Sequence, residues 1–262
     1  MDWLQGVQHL REHHQPGVLV TVAAVRGHAP REAGAKMVVG PRRTWGTVGG
    51  GNLEAVAIER SREPLPGPEM LTMRLSDKAP HEHGVQCCGG EVTLLLEPLP
   101  VPPSVAIFGA GHVGLELARI LARHDLELHL IDTRPGQLHP ERLSALEDSE
   151  ARVVVHEVAL APEHVLKVLP AGTHVLIMTH DHAEDLAICD QALRTPGLGP
   201  VGLIGSRAKA VTFTAKLKDA GHASGLSGIR CPVGVAGIAG KHPATVALSI
   251  AAELLPLLLS PR

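Results

Sequence analysis

Short apolar runs alternate with helically spaced apolar residues along the second half of the chain. The apolar runs predict strands at 105–108, 126–131, 151–155, 175–178 and 201–204. Between and after them, apolar residues recur at helical spacing, which predicts helices at 113–123, 185–194, 208–220 and 243–259. Because parallel strands need helical connections, this alternation predicts a parallel sheet with helices on both faces.

The first part of the chain has a different pattern, in which strands are grouped together. Helices are predicted at 2–15 and 55–60, and strands at 18–25, 36–39, 70–75 and 91–97. The segment 99–104 is rich in proline, lacks periodicity and is predicted to be a stiff linker. The sequence therefore predicts an α/β protein with a smaller N-terminal α+β domain at 1–98, the linker at 99–104 and a C-terminal Rossmann-like domain at 105–262.

A Gly-x-Gly-x-x-Gly motif connects the first strand and the first helix of the predicted Rossmann-like domain. In dinucleotide-binding folds, residues in the positions of Gly109, Gly111 and Gly114 permit a tight turn, close approach of a pyrophosphate and close packing of helix on strand. Asp132 follows the second strand, where this fold places its ribose-binding carboxylate. The pattern fits either a nucleotide site or a turn that binds nothing, and it does not by itself establish hydride transfer.

A second glycine loop precedes the predicted helix of the N-terminal domain. It consists of Gly49, Gly50 and Gly51, followed by Asn52 as the predicted N-cap and Glu54 in the first turn. Exposed backbone amides at a helix N-terminus can cradle a phosphate or another anion. A tight packing turn explains the same residues equally well.

Three further loops follow predicted strands at the sheet edge where such folds bind ligands. The loop 179–185 carries histidines and carboxylates that suit either metal binding and acid–base chemistry or simple capping of the next helix. The loop 205–209 presents Arg207, whose guanidinium suits a phosphate or a carboxylate. The glycine-rich loop 230–243 includes Lys241, which could meet an anion at the start of the last helix.

Composition excludes several classes of protein. The chain has 262 residues and a hydrophobic fraction of 44%, which is sufficient for a sizeable core. Its net charge is −3, which is unlike that of a nucleic-acid-binding protein. Two Trp, two Phe and no Tyr leave little for base stacking and exclude mechanisms that need a tyrosine acid. We find no signal peptide and no apolar stretch long enough to span a bilayer, so we expect a cytoplasmic protein without a membrane partner.

The four cysteines do not form the framework of a small disulfide-rich protein. Cys87 and Cys88 follow a His-x-His segment, but adjacent cysteines rarely share one ion with relaxed geometry, which disfavours structural zinc. A thiolate here could bind a soft metal or attack sulfur, whereas Cys87 could equally be a small buried hydrophobe.

Taken in order, seven segments resemble the XdhC/CoxI family of xanthine dehydrogenase accessory proteins. They are 46–54, 88–98, 105–114, 131–134, 179–185, 202–209 and 231–253. Members of this family bind molybdenum cofactor, hold it while a cysteine desulfurase replaces an oxo ligand with a sulfido ligand, and insert it into xanthine dehydrogenase. The resemblance therefore implies a homodimeric carrier and insertion chaperone without catalytic residues of its own.

The resemblance also implies a set of binding residues. Cys88 is the expected metal ligand, and a pterin phosphate suits the loop Gly49–Gly51 and Arg207. The full set implied in cofactor binding is Cys88, Gly49, Gly50, Gly51, Gly109, Gly111, Gly114, Asp132, Arg134 and Arg207. Some relatives carry a cysteine where this chain has Thr47 and Val48, and others an acidic residue near 236–237. These differences indicate the xanthine dehydrogenase branch rather than the carbon monoxide dehydrogenase branch.

Two other functions remain open at this point. An NAD(P)-dependent oxidoreductase would use the glycine motif and Asp132, with His180 or Lys209 as general acid. A redox or metal sensor would use Cys87, Cys88 and the histidines. Neither hypothesis accounts for the motifs of the N-terminal domain.

Overall fold

A computed structural model of the chain describes residues 2–75, 90–223, 225–238 and 240–259. The chain forms two compact units, Met1–Val101 and Pro102–Arg262. Each unit has its own hydrophobic clusters.

The N-terminal unit is built on a five-stranded antiparallel sheet. Its elements are α1 (Trp3–Glu12), β1 (Gly17–Arg26), β2 (Lys36–Val39), β3 (Thr44–Gly46), α2 (Gly51–Arg62), β4 (Glu69–Arg74) and β5 (Glu91–Leu99). The strand order is β3-β2-β1-β5-β4, so β1 is central and pairs with β2 on one side and β5 on the other.

The alternation of side chains along these strands gives each face of the sheet a helix to pack against. Met37 and Val39 belong to the cluster that includes Leu53 of α2, whereas Val38 between them contacts the cluster of Leu10 in α1. Successive residues of a strand point to opposite faces, which explains this division.

The C-terminal unit alternates strands and helices. Its elements are β6 (Ser104–Phe108), α3 (His112–Leu121), β7 (Glu127–Asp132), α4 (Pro140–Leu143), β8 (Arg152–Glu157), β9 (His174–Ile177), α5 (His182–Arg194), β10 (Val201–Leu203), α6 (Arg207–Asp219), β11 (Ile229–Arg230) and α7 (Pro243–Leu259). The strands pair in parallel in the order β11-β10-β9-β6-β7-β8. This arrangement confirms the predicted fold class.

The strand order creates a crevice beyond the carboxyl ends of β6 and β9. The chain passes from β6 outward to β7 and β8, and then returns to the other side of β6 to form β9. Loops that leave adjacent strands in opposite directions separate at such a switch point, where this class of sheet binds its ligands.

Both faces of the parallel sheet are covered, as predicted. Alternate residues of β6 separate the two clusters, since Ile107 packs with residues of α3 and α7 while Phe108 packs with residues of α5 and α6. Phe108 is fully buried, as are Ile107 and most side chains of β7.

Several local predictions need correction. Asn52 is not the N-cap of α2, because the helix begins at Gly51 and Gly50 occupies the N-cap position. Leu99 and Ser104, assigned to the linker, lie in β5 and β6. The short elements β3, α4 and β11 were not predicted, since two to four residues carry too little periodicity to be recognised.

No helix in the described part of the chain is both long and apolar enough to cross a membrane.

The close packing of α3 on β6 makes Gly114 a sensitive position. A Cβ atom at Gly114 would lie 2.0 Å from the Gly109 carbonyl oxygen and 3.3 Å from a methyl group of Ile107. We predict that Gly114→Ala lowers the free energy of unfolding by about 1–3 kcal/mol, although alanine favours helix. Gly237→Ala is the control, because a Cβ there meets nothing within 4 Å, and it should change stability by less than about 0.5 kcal/mol in urea titration. Equal effects of the two variants would contradict the packing argument.

Candidate functional site

The glycine turn after β6 brings the ends of three strands together. Gly109 has a φ of +108°, and a Cβ there would lie 2.3 Å from the Met178 carbonyl oxygen beyond β9. Its backbone N–H donates to the carbonyl of Ile131 in β7 at 2.7 Å. Glycine is therefore required both for the backbone conformation and for the approach of the neighbouring strand.

Gly111 is the N-cap residue of α3, and no side chain caps this helix. A Cβ at Gly111 would lie 3.5 Å from Nη2 of Arg134, so the guanidinium lies directly beside the turn. The positive end of α3 and a cation thus lie together where a dinucleotide fold receives its pyrophosphate.

Asp132 links β7 to this turn. Its Oδ2 accepts hydrogen bonds from the Ala110 backbone N–H at 2.7 Å and from Arg134 Nη2 at 2.8 Å. Its Oδ1 accepts from the backbone N–H of Arg134 at 2.9 Å and from Arg134 Nε at 3.0 Å. A carboxylate has about four acceptor positions, so those of Asp132 are filled from within the chain.

These hydrogen bonds also set the charge of Asp132. Its side chain is only 2% exposed, and burial by itself would raise the pKa of the carboxyl. The hydrogen bonds from Arg134 and Ala110, together with the charge of Arg134, outweigh burial and hold the pKa below its ordinary value. The crevice therefore contains a fixed ion pair whose guanidinium, 31% exposed, is the accessible partner.

A pocket of about 480 Å³ lies beside this ion pair at the carboxyl ends of β7 and β8. It is lined by Asp132, Thr133, Arg134, Pro135, Gly136, Leu138, His139, Glu157, Val158 and Ala159. Its volume is within the range of pockets that bind small molecules and cofactors.

The loop after β9 is organised by a second buried carboxylate. Asp185 is fully buried and accepts from the backbone N–H and the hydroxyl of Thr179. Its other oxygen contacts Lys209 Nζ at 2.5 Å, and Lys209 also donates to the Ile204 carbonyl at 3.0 Å. Asp181 caps α5 by accepting from the Ala183 N–H. The capping interpretation of this loop therefore describes it better than metal binding does.

No group of three or more His, Cys, Asp or Glu residues suited to a metal ion occurs among the described residues.

Arg207, the first residue of α6, is exposed, and Ser206 caps that helix through the Lys209 N–H. Lys241 is also exposed. His180, which follows Thr179 in the loop that Asp185 organises, is exposed.

The glycine loop of the N-terminal unit already contains an anion. Glu54 Oε2 accepts from the backbone N–H groups of Val48 at 3.3 Å and Gly50 at 3.1 Å, and from the hydroxyl of Thr47. The Gly49 N–H donates to the same Thr47 hydroxyl. A phosphate bound at these amides would have to displace the Glu54 carboxylate.

The cysteines divide into two groups. Cys87 and Cys88 lie outside the described residues. Burial raises the pKa of Cys189 to about 12, and burial is also the largest cause of the raised pKa of Cys231. Neither described thiol is therefore activated as a thiolate.

Both units match known families. Residues 105–254 match the XdhC Rossmann domain, and residues 10–74 match the XdhC and CoxI family.

The chain belongs to the XdhC and CoxI family.

Curated relatives of this family member are distant. YqeB of Escherichia coli (strain K12), described as uncharacterized, is 27% identical over 94% of this chain, which spans 44% of YqeB. The molybdenum cofactor insertion chaperone PaoD of the same organism is 27% identical over 90% of this chain and 82% of its own length. Among solved structures, the chain is similar to one described as the crystal structure of a xanthine dehydrogenase from Bacillus halodurans. The two sequences are 20% identical, the match covers 100% of this chain and 97% of the other chain, and the TM-score is 0.49. The family assignment does not depend on that structure.

Sequence reasoning identified most residues of the crevice but not their partners. It named Asp132 and Arg134 separately, and Asp185 and Lys209 separately, without pairing them. The Asp185–Lys209 pair had a signal, because both residues lie in the first turns of helices that follow adjacent parallel strands. It also missed the lining of the pocket, including Leu138 and Val158.

The depressed pKa of Asp132 gives a pH-dependent prediction. A carboxylate with a lower pKa in the folded state stabilises the fold above its unfolded pKa, and this contribution is lost as pH falls towards the folded pKa. We predict that Asp132→Asn destabilises the protein most at pH 5–7, and that its difference from wild type shrinks as pH falls below about 4. Urea unfolding at several pH values measures this. A difference that is constant or grows in acid would contradict the assignment.

The buried pair of Asp185 and Lys209 gives a double-mutant prediction. Asp185→Asn or Lys209→Met alone leaves one buried charge without its partner and should lower the free energy of unfolding by about 3–5 kcal/mol. The double variant should lose clearly less than the sum, because no buried charge remains unpaired. Glu116→Gln, at a half-exposed pair with Arg119, is the control and should have little effect. Additive effects in urea titration would disprove the coupling.

Proposed function

We propose that this protein binds molybdenum cofactor as cargo, holds it for sulfuration of the metal and delivers it to a molybdenum enzyme, with xanthine dehydrogenase as the client. Support comes from membership of the XdhC and CoxI family and from the distant likeness to PaoD, itself an insertion chaperone. In this proposal the protein is a carrier and not a catalyst. A cysteine desulfurase and a second copy of the chain are its other proposed partners.

The observation that carries the proposal is the state of Asp132. In an NAD-binding crevice, the carboxylate at this position accepts hydrogen bonds from the hydroxyl groups of the ribose. Here its acceptor positions are filled by Ala110 and Arg134, and a guanidinium borders the crevice instead. Such a crevice suits an anionic cargo that carries phosphate better than it suits NAD.

We assign the proposed contacts by their chemistry. Cys88 is the proposed ligand of the metal, because a thiolate is a soft donor. Arg207 is the proposed partner of the pterin phosphate, since it is an exposed cation in the first turn of α6. In this proposal, Gly109, Gly111 and Gly114 shape the crevice at the turn between β6 and α3. The loop Gly49–Gly51 would take part only after Glu54 leaves its amides.

The oxidoreductase is the second candidate, and the geometry favours it less. It needs Asp132 for the ribose and a mobile proton at His180 or Lys209. Lys209 is held between the Asp185 carboxylate and the Ile204 carbonyl, which suits a structural role.

The sensor hypothesis depends on Cys87 and Cys88 and predicts tight metal binding by the isolated protein.

The test is delivery of cofactor to an apoenzyme. Purified protein is loaded with released molybdenum cofactor, treated with cysteine desulfurase and cysteine, and mixed with xanthine dehydrogenase that lacks the cofactor. We expect the dehydrogenase activity gained to exceed that given by the same amount of free cofactor, because a carrier protects and directs its cargo.

The matched variants are Cys88→Ala and Cys87→Ala. We expect Cys88→Ala to lose most of the loaded molybdenum and of the activity delivered, and Cys87→Ala to retain both. Equal loading and delivery by Cys88→Ala would reject the ligand role. No gain over free cofactor with the wild-type protein would reject carriage itself.

A further inference from the structure

The last helix, α7, carries two apolar stripes, of which one is covered. Its Ala247, Ala251, Leu254 and Leu258 pack in the core of the C-terminal unit. Every residue of α7 that is exposed is also apolar, and the three leucines among them are 51–54% exposed; these residues are Ala244, Leu248, Ala252, Pro256, Leu257 and Leu259. A surface helix ordinarily turns polar or charged side chains to water, so the outer face of α7 has the character of an interface.

Five residues on the outer side of α7 have the spacing of a coiled-coil seam. Thr245, Leu248, Ala252, Leu255 and Leu259 follow one another in alternating steps of three and four residues. Leu248, Ala252 and Leu259 are exposed, and the other two are partly buried. Such steps keep side chains on one side of a helix and let it interlock with a second helix. We refer to these five residues as the α7 seam.

The charges of α7 favour a protein helix over a membrane as the partner of the seam. Helices that lie in a membrane interface carry Lys or Arg along their polar face. The sequence of α7 contains no Lys or Arg. Its one charged residue, Glu253, contacts Arg230 and accepts from the Gly234 N–H in the preceding loop. The seam therefore requires an apolar partner.

The order of large and small residues in the seam fits a second copy of the same helix. In an antiparallel pair centred at the level of Ile250, Leu248 meets the partner's Ala252, and Leu255 meets the partner's Thr245. Each layer then joins a leucine to a smaller side chain, and the twofold axis repeats every contact, as a symmetric dimer requires. A parallel pair would instead set Leu248 against its own copy and leave a gap between the two copies of Ala252.

The charge at the start of α7 also favours the antiparallel pair. The exposed Lys241 lies two residues before the helix, where the helix dipole disfavours a cation. Antiparallel pairing brings the start of each α7 beside the end of the other, whose last carbonyl groups attract a cation. The two helix dipoles are then opposed, whereas a parallel pair would align them.

We propose that the α7 seam is the interface of a symmetric homodimer, in which two copies of α7 pack antiparallel. Leu248 and Ala252 lie at its centre, and Lys241 approaches the end of the partner helix. The proposal takes up the second copy of the chain named above as a partner and assigns the surface that binds it. It uses none of the residues proposed to contact molybdenum cofactor.

The test measures the mass of the full chain in solution by light scattering after gel filtration, over a range of micromolar concentrations. We expect a dimer for the wild-type protein. Leu248→Glu and Ala252→Glu each place two unpaired charges in the apolar interface and should weaken the dimer at least about 100-fold. Leu257→Glu is the matched control and should remain dimeric, because Leu257 is as exposed as Leu248 (51% against 52%) but lies outside the seam.

A monomeric wild-type protein would overturn the proposal, since something other than a second copy would then have to cover the seam. A dimer that persists in both seam variants, or that Leu257→Glu dissociates equally well, would also overturn it. Thermal unfolding checks that each variant is folded. If Leu248→Glu does not fold, Ala252→Glu decides the matter, because exposed helix positions tolerate substitution.

Cysteine cross-linking tests the direction of the two helices. In the antiparallel pair the double variant Leu248→Cys/Ala252→Cys sets cysteines of the two copies opposite each other, so mild oxidation should give a covalent dimer beyond the wild-type level. Either single variant should cross-link no more than the wild-type protein. Efficient cross-linking of Leu248→Cys alone would indicate a parallel pair and contradict the proposed arrangement. None of these readouts contains molybdenum, so failure of this interface and failure of cofactor carriage are distinguishable.

Discussion

The hydrogen bonds of the Asp132 carboxylate are the constraint on which the crevice depends. One oxygen fixes the backbone of the glycine turn through Ala110, and both oxygens fix Arg134. The turn in turn packs on the end of β9, because Gly109 leaves no space between its backbone and Met178. One carboxylate at the end of β7 thus positions the ends of three strands and the cation beside them.

The same principle applies across the switch point. Asp185 fixes Thr179 in the loop after β9 and binds Lys209 from the helix after β10. Asp132, which a dehydrogenase would use for the ribose, and Lys209, one of its candidate general acids, are both committed to internal ion pairs. These ion pairs hold the loops at the carboxyl ends of the strands in place, and the fold alone does not determine what chemistry the crevice carries.

Much of the fold could be predicted from the sequence because its signals are local. Residues 105–108 are a continuous apolar run, residues 126–131 are mostly apolar, and the helix between them has clear periodicity, so the parallel sheet could be predicted. The final helix begins at Pro243 and ends at Leu259, as the pattern predicted. The elements that were missed, such as the three-residue β3 around Trp45, are defined by pairing with neighbours and not by their own pattern.

The site was less predictable because its chemistry lies in pairs. The sequence indicates that Asp132 follows a strand. It does not show that the carboxylate oxygens of Asp132 accept hydrogen bonds from Arg134, two positions later. The sequence places Glu54 in the first turn of a helix. It does not show that the Glu54 carboxylate accepts hydrogen bonds from the backbone N–H groups of the preceding glycine loop. Non-local pairing of this kind depends on the directions of side chains, which periodicity does not encode. The role of Cys88 and the position of the domain boundary stay predictions.

The most direct measurement of the central claim is retention of released molybdenum cofactor by the purified protein. Molybdenum and oxidised pterin are quantified in the protein peak after gel filtration, with and without excess NAD. We predict that the protein retains molybdenum and pterin in near-equal amounts and that NAD does not displace them, since Asp132 has no acceptor free for the NAD ribose. Absence of both from the protein peak, together with tight binding of NAD, would contradict it and point to an oxidoreductase.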